Sequence, residues 1–175
     1  MSLERHNNRE LQIVGFQVGN ETYGVPITSL HEIVRVPEIT AVPDAPEYME
    51  GVINLRGKIV SVIDLRKRFG VKQLETSRRN RILVVEFNGR LSGLIVDSAS
   101  EVLKIALTDI EPPPAVMQEN GMSCVTGLGK YKGRLIMLLE TSKLLEFGGA
   151  KAAQVAADAK APAIPKAEVR GAAAR

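Results

Sequence analysis

The sequence predicts an all-β protein built as two small packed barrels. Three observations carry this: four strand pairs joined by tight turns, a second half that repeats the first, and one hairpin that is apolar on both faces. The first pair begins at Leu11, where Val14, Phe16 and Val18 alternate with other residues up to a turn at Gly19-Asn20-Glu21. It resumes through Tyr23, Val25 and Ile27. Ser29-Leu30-His31-Glu32 then has the spacing of a capping box and predicts a short helix, with Leu30, Ile33 and Val34 on one face, ended by Val36-Pro37. Pro43-Asp44-Ala45-Pro46 reads as a turn or loop.

The second pair is the stretch GVINLRGKIVSVIDLRKRFG, Gly51 to Gly70. Its strands run from Gly51 to Leu55 and from Ile59 to Ile63, joined through Arg56-Gly57-Lys58, with Gly57 free to take the left-handed backbone of a tight turn. A two-residue loop places Ile53, Leu55, Val60 and Val62 on one face, and Val52, Ile59 and Ile63 on the other with Asn54 and Ser61. A small barrel buries only its inner face, so the outer apolar face requires a second barrel or a partner. Asp64 stands at a helix N-cap position before Leu65 to Phe69, and Gly70 where that turn stops.

After a polar loop from Val71 to Asn80, Arg81 to Phe87 and Leu91 to Val96 flank Asn88-Gly89, a strong hairpin signal. Ser98-Ala99-Ser100-Glu101 is a second possible capping box, before Val102 and Leu103. Pro112-Pro113-Pro114 imposes an extended stretch. The last hairpin joins Thr126 to Tyr131 with Arg134 to Leu139 through Lys132-Gly133, and a short helix from Thr141 to Phe147 closes the folded part.

The halves correspond at two offsets. At 76 residues, Gly51 falls on Gly127, Arg56 on Lys132, Gly57 on Gly133, Val62 on Leu138 and Asp64 on Glu140. At 69 residues, Phe16 falls on Val85, Gly24 on Gly93, Glu32 on Glu101 and Ile33 on Val102. The expected organisation is a flexible N-terminus over 1–10 and a folded part over 11–148, made of modules at about 11–75 and 80–148. An Ala/Lys/Pro-rich disordered tail follows over 149–175.

Composition narrows the function classes. The net charge of +3 lies wholly in the tail, whose five basic and two acidic residues leave the remainder neutral. A neutral folded part with 4% aromatic residues and no tryptophan offers neither a phosphate-binding footprint nor a base-stacking platform. No apolar leader or membrane-length run is visible, and the single cysteine, Cys124, fits a reducing, cytoplasmic setting. His6 and His31 have no metal-ligand spacing, and Gly127-Leu128-Gly129 lies inside a hairpin rather than ahead of a helix. No catalytic, cofactor-binding or metal site is expected. Glu32 and Arg56 fit a charge pair that fixes a barrel rim, or equally a capping glutamate and a solvated hairpin arginine. Taken alone, Leu30 and Val102 read as core.

GVINLRGKIVSVIDLRKRFG, preceded by Tyr23-Gly24-Val25-Pro26-Ile27, Glu32-Ile33 and the Pro43 to Pro46 turn, resembles the CheW family of chemotaxis coupling proteins. GLIVDSASEVL and TGLGKYKGRLIMLLETSKLL continue the likeness to about Phe147. The resemblance implies two packed five-stranded SH3-like β-barrels with short helical segments and no enzymatic activity. It implies an adaptor that couples the cytoplasmic tips of chemoreceptors to the regulatory domain of the histidine kinase CheA, in arrays on the inner face of the membrane and without inserting into it. By position, Glu32 and Arg56 match charged residues implicated in receptor coupling, and Leu30, Gly51 and Val102 fall at neighbouring positions of the receptor-facing groove. Ser61 stands where the family often has proline, and the tail runs past the usual end. A CheW-like scaffold in a non-flagellar chemosensory pathway is the near alternative; a nucleic-acid-binding small barrel is suggested by fold analogy alone.

Overall fold

The computed structural model describes residues 9–72, 76–119 and 122–145. The expected tail at 149–175 and the last two residues of the closing helix lie outside them. Among the described residues eleven strands form two sheets. β1 (Glu10–Val18) and β2 (Glu21–Pro26) form the first hairpin. The chain then crosses through a 3-10 turn at Ile27–Ser29 into β3 (Leu30–Arg35), β4 (Met49–Leu55) and β5 (Lys58–Asp64). A short helix α1 (Leu65–Arg68) precedes β6 (Arg81–Phe87) and β7 (Arg90–Val96). The second crossing leads to β8 (Ser98–Ala106), β9 (Ile110–Glu111), helix α2 (Ala115–Glu119), β10 (Val125–Tyr131) and β11 (Arg134–Leu139), after which residues 141–145 are helical.

The first sheet has the order β8-β1-β2-β11-β10-β9 and the second β3-β6-β7-β5-β4. The modules 11–75 and 80–148 are therefore not the sheets themselves. Parallel pairing of β2 with β11 and of β5 with β7 knits a hairpin from each half into each sheet. The repeat nevertheless survives at the level of register. Met49 pairs with Ile63 and Gly51 with Val62 across a one-residue slip, and Val125 pairs with Leu139 and Gly127 with Leu138 across the same slip. Likewise, Val62 lies beside Gly93 as Leu138 lies beside Gly24.

All four expected hairpins form. Three turns carry a left-handed residue before a left-handed glycine: Arg56-Gly57 (φ 50 and 84), Asn88-Gly89 (50 and 74) and Lys132-Gly133 (47 and 77). Asp64 caps α1 by accepting a hydrogen bond from the Arg66 N–H at 2.9 Å. The two capping-box expectations fail. Ser29 to Glu32 runs into strand β3 and Ser98 to Glu101 into strand β8. A one-turn helix satisfies few backbone groups, whereas β3 pairs with β6 and β8 with β1 along their lengths. Helix α2, directly after the three prolines, was not anticipated.

Each sheet encloses its own core. Ile53, Val60, Val62, Ile82 and Val84 fill one, and Ile13, Leu103, Ile105, Ile136 and Leu138 the other. A larger core between the sheets takes Phe16, Val25, Ile63, Leu83, Leu94 and Leu139 from both, with Tyr23 stacked on Phe69 at 4.8 Å. The outer face of the central hairpin is covered as its composition required. Ile63 enters the shared core and Val52 packs under Val42, Ala45 and Tyr48, while Ile59 stays exposed.

Candidate functional site

The second sheet begins at β3 and ends at β4, so a closed barrel needs a contact between those edges. Arg56 supplies it from the tip of the β4–β5 hairpin. Its Nη1 donates to Glu32 Oε1 at 3.0 Å and its Nη2 to Glu32 Oε2 at 2.6 Å, a two-pronged ion pair from the hairpin to the far edge strand. The turn is held by the Gly57 N–H donating to Asn54 Oδ1 at 2.8 Å. The Glu32 side chain is 18% exposed and that of Arg56 75%, so a largely desolvated carboxylate is satisfied by a guanidinium that still faces solvent. His31 lies 3.9 Å from carboxylate oxygens of both Glu32 and Glu86.

The other candidate residues divide. Leu30 sits one residue before Glu32's neighbour His31, across a register slip in β3, and packs half-buried against the shared core. Val102, on β8 of the first sheet, is 50% exposed rather than core. It pairs with Val14 as Ile33 pairs with Leu83, and Ile33 is also exposed. Gly51 is buried at φ +145. A β-carbon there would lie 2.0 Å from the Thr40 carbonyl oxygen, which itself bonds to the Val52 N–H. Thus Glu32 and Arg56 are joined, Leu30 lies beside them, Val102 stands on the neighbouring sheet, and Gly51 is sealed beneath the chain at Thr40 and Ala41.

The second copy of the rim is built differently. Glu101 and Lys132 hold the positions of Glu32 and Arg56, yet among the described residues no ion pair joins them. The Lys132 ammonium instead sits 5.2 Å from the centre of the Tyr131 ring, and Glu101 is exposed. Ile59, on the outer face of the central hairpin, and Leu135 are exposed apolar residues at matching positions of β5 and β11. Each follows an exposed basic residue at a hairpin tip, Lys58 or Arg134, beyond which the strand is buried.

Among the described residues no group of three His, Cys, Asp or Glu could hold a metal ion. Burial pushes the Cys124 thiol up, away from the reactive thiolate. A cavity of about 180 Å³ opens at the end of the first sheet between Leu11, Ile13, Pro26, Ile110 and Leu138, with no titratable group in its lining.

Comparison with known proteins places this arrangement. The model of the CheW-like domain matches residues 12–147. The chain is 37% identical over 145 residues to the chemotaxis protein CheW of Helicobacter pylori, covering 83% of this chain and 87% of that one. It is 35% identical over 130 residues to the CheW of Klebsiella aerogenes, covering 74% and 78%. The crystal structure of the scaffolding protein TtCheW from Thermoanaerobacter tengcongensis superposes with a TM-score of 0.69 at 43% identity, covering 74% of this chain and 88% of that one.

Proposed function

The chain belongs to the CheW family of chemotaxis adaptors, and from that premise we propose that it joins chemoreceptor cytoplasmic tips to the regulatory domain of the kinase CheA through two separate faces. The observation that carries the reading is the Arg56–Glu32 pair, lodged at the rim beside Leu30, with Val102 exposed on the adjoining sheet. A receptor tip is a helical bundle. Its apolar ridge fits half-exposed aliphatic residues, and a carboxylate on it fits the donors of Arg56 that the two bonds to Glu32 leave over. Gly51 contributes through the Thr40 segment packed on it rather than by contact. The kinase takes other exposed apolar positions, so that receptor movement biases the kinase through shared geometry, and many weak links in an array suffice. Among the described residues no helix is long and apolar enough to cross a membrane; in this reading the receptors bring the chain to the inner membrane face.

The test is calorimetry of the full chain against a CheA regulatory domain and a receptor-tip fragment from the same cell. Arg56→Ala and Arg56→Asn are measured alongside. Asn suits the left-handed turn position, as Asn88 shows at φ 50, so Arg56→Asn keeps the hairpin and removes the pair. The expected result is binding to both partners by the parent, with receptor binding alone weakened at least five-fold in both variants. Binding to neither partner overturns the proposal.

A further inference from the structure

The chain crosses between its sheets twice, and the two crossings are held by different chemistry. At the first, after β2, the Thr141 hydroxyl donates to Ser29 Oγ across 3.3 Å, a neutral and weak contact. At the second, between β7 and β8, Asp97 forms a charged link. Its Oδ2 accepts from the Gly19 N–H at 2.6 Å, in the β1–β2 turn of the first sheet. Its Oδ1 lies 3.5 Å from Arg66 Nη1, just past β5 of the second sheet. Arg66 is gripped in turn by Asp64, with Nε to Oδ1 at 3.0 Å and Nη2 to Oδ2 at 2.8 Å, both residues buried. The strap continues in the backbone. The Asp97 N–H donates to the Gln17 carbonyl, and Val71, whose N–H bonds to the Arg66 carbonyl, packs on Gly19.

Among the described residues the repeat shows no second copy of this device. Glu140, Ser142 and Thr28 occupy the positions of Asp64, Arg66 and Asp97; the Glu140 carboxylate accepts from the Ser142 hydroxyl at 2.7 Å and pairs with Lys143 at 3.5 Å, both at the surface and within its own helical turn. One junction is therefore pinned by a desolvated guanidinium between two carboxylates, and its partner by a hydroxyl pair. The contrast lies in charge rather than length: Asp97 accepts a short charge-assisted bond from Gly19 and pairs with Arg66 across 3.5 Å, whereas the hydroxyl pair carries no charge. The Asp97 arm is the adjustable part, because Arg66 stays paired with Asp64 when that arm is removed.

We propose that Asp97 and Arg66 are positioning residues that set the angle between the two sheets, and with it the spacing of Leu30 from Val102. Only the consequence for receptor binding rests on the adaptor reading.

The experiment measures the distance between spin labels on cysteines introduced at Arg35 and Lys104, exposed positions on β3 and β8, in the full chain with Cys124→Ala. Asp97→Asn is expected to shift the distance distribution or at least double its width. Asp97→Glu, which restores the charge, is expected to bring it back toward the parent's. Glu111→Gln, which breaks an exposed pair with Lys130 inside one sheet, is expected to leave it unchanged. If Asp97→Asn does not fold, Asp97→Ser, which keeps an acceptor for Gly19 without charge, carries the same expectation. An unchanged distribution in a folded variant overturns the proposal, as does a shift equalled by Glu111→Gln. The distances are read without any partner, so loss of the strut and failure of the parent chain to bind a receptor tip are separate results.

Discussion

Ile33 and Val102 are one position of a duplicated unit seen twice. They pair with Leu83 and Val14, themselves equivalent, and they turn 39% and 50% of their surface to solvent from two different sheets. Strands this regular put neighbours to opposite uses. On β8, Val102→Ala is expected to change stability by less than about 0.5 kcal/mol while weakening receptor-tip binding. Leu103→Ala, at a site 2% exposed, is expected to cost about 2 to 4 kcal/mol with no specific effect on binding per folded molecule. Urea unfolding and calorimetry on the same samples separate the two.

The Glu32–Arg56 pair has good geometry but a solvent-facing arginine. A double-mutant cycle with Glu32→Ala and Arg56→Ala is expected to give a coupling of at most about 1 kcal/mol, falling with added salt. Coupling well above this, read from urea midpoints, would mean the barrel depends on the pair for more than rim closure.

Gly51 and Gly127 occupy the same slip in matching hairpins, yet tolerate a methyl group unequally. At Gly51 the added carbon strikes the Thr40 carbonyl oxygen and takes a left-handed φ. At Gly127 it presses on the Ile110 side-chain methyl at 3.0 Å and otherwise makes ordinary contacts at 3.5 Å with the Glu111 carbonyl oxygen and a Leu138 methyl. Gly51→Ala is expected to cost roughly 3 kcal/mol or more and Gly127→Ala under about 1.5 kcal/mol, from left-handed strain plus a backbone clash on one side and a small overpacking on the other. Thermal melts of the two variants test the ranking.

Three hairpins were legible through a residue-glycine turn and the first through Gly19-Asn20 interrupting an alternating run; Arg56 was legible at a hairpin tip, while Glu32 was read at a helix cap in the same module. β3 and β8 misled because Ser-x-x-Glu matches a local helix signal, while the pairing that defeats it lies far along the chain. Leu30, Glu32 and Val34 alternating with His31, Ile33 and Arg35 was the quieter signal of a strand. The exchange of hairpins left no local trace, since a repeat reads the same whichever sheet each strand joins. Asp97 was missed for a related reason: Gly19 and Arg66 are 78 and 31 residues away, and nothing around any of the three announces the others.

Tyr23 lies in the shared core, where burial foremost, then the charge of Glu21, pushes its phenol up to about 12, and burial raises the Cys124 thiol as well. A raised folded-state value means that the neutral phenol's contribution is intact below about pH 10, where the unfolded chain's tyrosine ionises, and is lost as pH climbs through 12. The unfolding free energy read from urea melts is expected to fall across pH 10 to 12, by roughly 2 to 3 kcal/mol for Tyr23. In Tyr23→Phe the fall is expected to be shallower, and an equal fall would place the effect on other groups.

Because each half of the chain lends a hairpin to the sheet that the other half completes, the molecule has the connectivity of two exchanged copies tied end to end between Lys72 and Thr76. Neither half encloses a barrel by itself, so a gene for 1–72 or for 76–175 alone should yield an insoluble or unfolded product. Made together they hold every strand pairing that either sheet needs, and should recover the parent's fold as a non-covalent pair, the one covalent thread between them being dispensable. The same logic makes that thread the place to insert a reporter or a second binding module with every strand pairing kept.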